Sequence, residues 1–202
     1  MNDFERSLAR YIGEDRLKKI QSIKVGIAGA GGLGSNCAFN LVRSGFNSLK
    51  IIDFDLVEFS NLDRQFYFLD QVGKPKVEAL KNNLLRINPD LYVEDIRDRI
   101  TEDNVVDIFN DCDVVVEAFD QVQCKRLIVE KYYQSGKLLV SASGLGGWGN
   151  SDAICVRKVH SKFYLIGDYV SEVNEDVPPI SPRVNIAAAK QADVILEWAL
   201  MR

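Results

Sequence analysis

The chain has 202 residues, 47% of them hydrophobic, which is enough to bury one substantial core and too few to require two domains. A formal net charge of -4 and a pI near 5.2 supply no general attraction for nucleic acid or an anionic membrane, so any positive charge that acts on a ligand must be local. The opening residues Met1 to Ser7 mix both charge signs without the apolar core of a signal peptide, and no later apolar run is long enough to span a bilayer, which reads as a cytoplasmic protein.

Residues 1–20 read as an N-terminal helical arm. Residues 24–28 form an apolar run bounded by glycine, a fully buried strand, and residues 33–43 show the spacing of a helix packed on it. Strand and helix then alternate: strand 49–53, helix 74–86, strand 91–96, short helix 103–109, strand 113–116, helix 122–133 and strand 137–141. This order predicts a Rossmann-like α/β fold, a doubly wound and mostly parallel sheet with helices on both faces. After Ser143 the texture changes. Gly144 to Gly149 form a flexible turn, residues 152–157 and 162–166 form an antiparallel pair, and residues 168–183, with three prolines, read as an exposed loop. Residues 184–201 close the chain as an alanine-rich helix.

The most informative stretch is Gly29-Ala30-Gly31-Gly32-Leu33-Gly34-Ser35, placed between a strand and a helix. Gly29, Gly31 and Gly34 let the backbone turn tightly and approach a phosphate, whose charge is favoured at the helix N-terminus. Asp53 ends the next strand about twenty residues on, where such folds set an acid against ribose hydroxyls. This much fits NAD as well as ATP. The following segment separates them, because a reacting triphosphate needs further phosphate-seeking groups, and Asn61, Arg64 and Lys76 supply that set. Attack on the α phosphate spreads negative charge toward the leaving pyrophosphate, so fixed cationic donors and a magnesium ion stabilise the transition state above the ground state. Asp120, after a buried strand, is placed either to hold that ion or to cap the next helix. A carboxylate nucleophile is ionised at neutral pH and needs no general base, which suits a chain whose single histidine is His160.

The residues Gly29 to Ser35, Asp53-x-Asp55-x-Val57, Ser60-Asn61-Leu62-x-Arg64-Gln65, Gly73-Lys74-Pro75-Lys76-Val77 and Asp120 together resemble the adenylation domain shared by ubiquitin-activating enzymes and their bacterial relatives. Within that superfamily the sequence is similar to the ThiF family, in a short branch lacking the paired C-x-x-C zinc ligands of longer relatives. The resemblance runs over roughly residues 20–143 with a weaker echo in the last helix, and the chain is expected to form a single ATP-binding adenylation domain over residues 1–202. The resemblance implies that ATP and magnesium are used to activate the C-terminal Gly-Gly carboxylate of a small ubiquitin-like, ThiS-like sulfur carrier as an acyl adenylate, releasing pyrophosphate, in thiamine thiazole biosynthesis. Carried over by position, it gives the glycines Gly29, Gly31, Gly32 and Gly34, with Asp53 and Asp55, to the nucleotide, Asn61, Arg64 and Lys76 to the phosphates, and Asp120 to magnesium. It also implies a homodimer in which an arginine near the amino terminus, Arg10 or its rival Arg16, reaches the partner's ATP.

The four cysteines, Cys37, Cys112, Cys124 and Cys155, form no C-x-x-C pair, which argues against a zinc site and a redox dithiol. Cys37 and Cys112 lie in apolar stretches and read as core. Cys124, just beyond Asp120, is the one cysteine near the site, and with no adjoining base in sequence a spectator role is favoured. His160 reads as a surface residue. Ile186, Val194, Ile195 and Trp198 on the last helix suit either a dimer interface or intramolecular packing. Competing functions are activation of a molybdopterin-type carrier or a modified tRNA base, a non-catalytic scaffold that docks a ubiquitin-like partner, and a nicotinamide-dependent dehydrogenase. The negative charge counts against nucleic acid, and Asn61 to Gln65 against the dehydrogenase.

Overall fold

A computed structural model describes all residues, 1–202. Seven strands form one sheet in the order β3-β2-β1-β4-β5-β7-β6. They are β1 (Val25–Ala28), β2 (Ser48–Ile52), β3 (Tyr92–Ile96), β4 (Val114–Glu117), β5 (Leu138–Ala142), β6 (Cys155–His160) and β7 (Phe163–Gly167). Every neighbouring pair is parallel except β6 with β7. The helices are α1 (Asp3–Ile12), α2 (Glu14–Gln21), α3 (Gly32–Arg43), α4 (Lys76–Leu85), α5 (Val105–Ile108), α6 (Val122–Tyr132) and α7 (Ser181–Met201). No helix is long and apolar enough to cross a membrane.

The central strands are buried along their whole length, as parallel strands covered on both faces must be. Their side chains alternate between two cores. Val25, Ile27, Val114, Val116, Leu138 and Val140 join the larger core beneath α2, α3, α4 and α7, whereas Ala28, Val115 and Leu139 join a smaller one with α5 and α6. Gly26 is small for a reason: a Cβ there would lie 2.4 Å from the Phe109 ring of the smaller core. On the larger face α7 packs closely on α3, and Ala187, Ala188 and Ala192 of α7 are buried with Ala38 of α3 in one cluster.

From β1 the chain winds outward through β2 and β3, then returns to place β4 on the other side of β1. The strand order therefore reverses between β1 and β4, and a crevice opens at their carboxyl ends, where ligands bind in folds of this kind.

Several boundaries differ from expectation. α4 begins at Lys76 because Pro75 occupies its N-cap in extended geometry. α7 begins at Ser181, since proline is tolerated in a helix's first turn, so Pro182 and Arg183 belong to the helix and not to a loop. The exposed loop accordingly ends before Ser181, and Arg183 is buried. β6 lies three residues later than the expected strand because Ser151–Ala153 form a 3-10 turn, and only β6 is antiparallel, β7 being parallel to β5. At the amino terminus Asn2 and Glu5 form a reciprocal capping box on α1. Glu5 is buried and accepts from Gln21 Nε2 at 2.9 Å, and Asn2 Nδ2 donates to Asn88 at 2.6 Å, which ties the arm to the body.

Candidate active site

The loop between β1 and α3 is shaped by two glycines that no other residue can replace. Gly29 has φ +103, and a Cβ at Gly34 would fall 1.8 Å from the Gly29 carbonyl oxygen. The chain can enter α3 directly from β1 only without those side chains. The first N–H groups of α3 have no intrahelical acceptor and carry the positive end of the helix dipole, which makes them an anion site.

Asp53 fixes this loop. Its Oδ2 accepts the Ala30 N–H at 2.7 Å and its Oδ1 the Asp55 N–H at 2.8 Å. Burial pushes the Asp53 carboxyl above its ordinary range, and the Ala30 and Asp55 N–H groups and Lys76 offset only part of that. Tyr67, whose hydroxyl donates to Ala30 O at 2.7 Å, closes the other side of the clasp. Lys76 opens α4 with its side chain 8% exposed and its Nζ 2.8 Å from Asp55 Oδ2. One carboxylate therefore shapes the loop while its neighbour holds a lysine beside it.

The segment between β2 and α4 is stitched to α3. Asn36 Nδ2 donates to Gly32 O at 2.7 Å and to Arg64 O at 2.8 Å, and Phe66 N donates to Ser35 Oγ at 3.0 Å. Arg64 is thereby brought against the glycine loop, its Cγ 3.6 Å from where a Gly32 Cβ would stand. Its guanidinium donates to Ser60 O at 2.9 Å and Asp63 Oδ1 at 2.7 Å. Asn61 is buried, and its Oδ1 accepts the Glu58 N–H at 3.0 Å, so it shapes its own 3-10 turn. Gln65 belongs to the sequence motif but had no role of its own there. Its Oε1 is buried without a hydrogen-bond partner, and its amide lies 4.0 Å from a Cβ built on Gly31.

The opposite wall of the crevice is the turn after β4. Ala118 O stands 2.9 Å from a Cβ built on Gly29, and the Phe119 ring 3.2 Å from it. Asp120 follows and is exposed. A single exposed carboxylate is the kind of protein ligand that magnesium takes when the remaining ligands come from substrate phosphates and water, so the chemistry of Asp120 fits that ion. Cys124 hydrogen-bonds Gln121 Oε1 at 3.8 Å, and burial, with the carboxylates of Asp120 and Glu117, pushes its thiol up, which disfavours a nucleophilic thiolate. Cys37 and Cys112 are core residues.

Gly29, Gly31, Gly32, Gly34, Asp53, Asp55, Arg64 and Lys76 thus gather around one loop, and Asp120 follows directly on the Ala118 and Phe119 turn that faces it. Arg10 does not join them within one chain. The α1 and α2 arm packs around Gly45, where Leu8 and Leu17 stand 2.8 Å from a built Cβ, and that residue precedes β2 at the opposite end of the sheet. His160 ends the exposed edge strand β6.

Sequence reasoning missed an ion pair with one fully buried member. Glu117, the last residue of β4, is 0% exposed and pairs with Lys125 of α6 at 2.9 Å. It missed also the Asp168 to Arg183 ion pair beneath the loop before α7. Arg183 further donates to Gly149 O at 2.9 Å, while Gly147 N donates to Pro178 O at 2.9 Å, so the glycine-rich turn and that loop are laced together. Neither pair is local in sequence.

An open sheet wound in both directions, with a glycine loop clasped by an acid at its switch point, belongs to the nucleotide-binding class of α/β domains. The chain is a member of the ThiF family, whose sequence model matches residues 4–194. It is 39% identical over 139 residues to the adenylyltransferase and sulfurtransferase UBA4 of Candida glabrata, covering 68% of this chain and 31% of that protein. It is 34% identical to the sulfur carrier protein ThiS adenylyltransferase of Bacillus subtilis, covering 68% of this chain and 42% of that one. With tRNA threonylcarbamoyladenosine dehydratase 2 of Saccharomyces cerevisiae it shares 33% identity, over 66% of this chain and 31% of that one. The chain therefore spans less than half the length of these relatives. Its fold is similar to that of E. coli tRNA N6-threonylcarbamoyladenosine dehydratase, solved in complex with ATP, with a TM-score of 0.82 at 24% identity over 96% of this chain and 91% of that one.

Proposed function

We propose that the protein is an ATP- and magnesium-dependent adenylyltransferase that activates the C-terminal Gly-Gly carboxylate of a small ubiquitin-like, ThiS-like sulfur carrier, serving thiamine thiazole formation. What supports this reading is the Asp53-clasped glycine loop with the Asp55 and Lys76 pair and Arg64 beside it, and the exposed carboxylate of Asp120 next in sequence to the Phe119 ring that packs on Gly29. The similarity to a ThiS adenylyltransferase supports the choice of carrier.

In this reading the α3 N-terminus and the glycine backbone receive phosphate oxygens, and Asp53 takes the ribose hydroxyls on its remaining lone pairs. Lys76, held in place by Asp55, and Arg64 place fixed positive charge where charge grows on the pyrophosphate. The carrier carboxylate oxygen bonds to the α phosphorus as the bond from that phosphorus to the bridging oxygen breaks, and pyrophosphate leaves with the electron pair. No proton moves, so no general base is needed. Magnesium, when bound through Asp120, supplies charge neutralisation at the phosphates. Arg10, far from the crevice of its own chain, acts on the site of a second copy in a homodimer.

A second reading, activation of a carboxyl group on a tRNA base, has the similarity to the S. cerevisiae dehydratase in its favour. The net charge of -4 weighs against it, because RNA binding draws its affinity from basic surface. Magnesium-dependent exchange of pyrophosphate into ATP, driven by a Gly-Gly carrier and not by tRNA, tests the two together.

A further inference from the structure

We propose that Glu117 and Lys125 are positioning residues for the metal side of this site, acting through the turn that carries Asp120; the inference rests on the adenylation reading above. Glu117 is fully buried at the end of β4 and its carboxylate is saturated with donors. Oε1 accepts the Phe119 N–H at 2.8 Å and Lys125 Nζ at 3.0 Å, while Oε2 accepts Lys125 at 2.9 Å and the hydroxyl of Ser141 on β5. Lys125 Nζ also donates to Phe119 O at 2.9 Å. Both polar main-chain groups of Phe119, the residue before Asp120, are therefore held by one ion pair.

The other side of the same turn rests on the glycine loop. Ala118 N donates to Ala28 O at 2.9 Å, and Ala118 O leaves no room for a side chain on Gly29. The turn is clamped between the nucleotide loop and the Glu117 to Lys125 pair, which sets the position of Asp120 relative to the phosphates. Packing alone does not call for charge here. The Glu117 carboxylate is wholly out of water and Lys125 only partly in it, and such a pair is often no more stabilising than apolar side chains of the same size, so stability alone is a poor reason to keep it. An apolar pair cannot hold the Phe119 peptide by its N–H and its carbonyl at once. Ser141 bonds only the carboxylate and not the turn, which makes it a control within the same cluster.

The test compares the full-length protein with Glu117→Gln/Lys125→Met, Glu117→Gln and Ser141→Ala. The double variant leaves no uncompensated buried ion and is expected to fold, with Glu117→Gln as the milder alternative. Calorimetry measures binding of α,β-methylene-ATP with and without magnesium, and hydrogen exchange follows the amides of residues 118–121 without ligand. In the double variant the tightening by magnesium is expected to fall by about tenfold, as for loss of an outer-shell partner of a metal ligand. Metal-free nucleotide affinity stays within about twofold, exchange at 118–121 accelerates, and Glu117→Gln shows the same changes to a smaller degree. Ser141→Ala keeps the tightening. The inference is overturned if the double variant retains wild-type tightening, or if Ser141→Ala loses as much. A wild-type protein that binds nucleotide without any tightening by magnesium overturns the adenylation reading itself, an outcome visible before any variant is made.

Discussion

The carboxyl ends of β1, β2 and β4 and the margin formed by β5, β7 and β6 belong to one sheet, yet they are built differently. At the first, three carboxylates and a lysine are held by partners from other segments of the chain: Asp53 on the Ala30 N–H, Asp55 with Lys76, and Glu117 on Lys125 and Ser141. At the second, all six residues of β6 are exposed, Trp148 and Val170 stand 71% and 84% exposed, and the loop before α7 depends on the Asp168 to Arg183 pair. Chemistry that needs fixed charge suits the first end, and an exposed, loop-rich margin is where a partner can dock. The contrast extends to titration, since Asp53 is pushed up by burial whereas Asp168 lies below its ordinary value.

The largest expected effect is at Asp120. Asp120→Ala should lower carrier-driven pyrophosphate exchange by about 100-fold or more, the size expected when a group acting on developing charge is removed. Because the side chain is exposed, thermal unfolding should be unchanged, and a matching loss of stability would show the residue to be structural.

Next come paired glycine substitutions that compare the two ends directly. Gly34→Ala places a Cβ 1.8 Å from a carbonyl oxygen and should cost about 3 kcal/mol in denaturant unfolding, at the upper end for overpacking. Gly149→Ala, at φ +71 with open space around it, should cost only about 1 kcal/mol, for the backbone conformation alone. Equal costs would erase the distinction between the tight end and the loose one.

The loop pair sharpens it through pH. Burial alone raises the Asp168 carboxyl, but the N–H groups of Ser171 and Val170, the Ser171 hydroxyl and the Arg183 guanidinium outweigh it, and the net shift is downward. A lowered folded-state pKa means stability that is present above the unfolded value, about 4, and is lost as pH falls through the folded one. Asp168→Asn should therefore be less stable than wild type at neutral pH, with the gap closing on acidification below about pH 4. Asp53 has the opposite sign: stability linked to its raised pKa is present below the unfolded value and lost as pH rises through the folded one. Urea midpoints measured from acid to neutral pH check the Asp168 gap, and one that does not close below about pH 4 removes the loop pair from the account. The smallest effect is expected of Trp148→Ala, within about 0.5 kcal/mol in stability for an exposed residue, while weakening carrier binding in a titration at the exposed margin.

The nucleotide end was legible because its signals are local. Glycine spacing after an apolar run places β1, the loop and α3 to within a residue, and Asp53 follows from its strand end, whereas Lys76 entered through the motif and the start of α4 after Pro75 was set two residues early. Glu117 was not legible. It sits one residue beyond the expected strand, and its partners Lys125 and Ser141 lie 8 and 24 residues away on other elements. Arg183 read as loop because Pro182 looks like a breaker in sequence, whereas in a first helical turn it costs nothing. β6 was displaced by three residues because a strand exposed at every position shows no burial alternation to fix its bounds.

The most direct test of the central claim is magnesium-dependent exchange of pyrophosphate into ATP with purified Gly-Gly carriers, comparing the wild type with Asp120→Ala and Arg64→Ala. The account predicts exchange that requires one particular carrier and collapses in both variants. Measurable ATP binding with no exchange from any carrier would contradict it, and would place the protein among scaffolds or enzymes of another carboxylate.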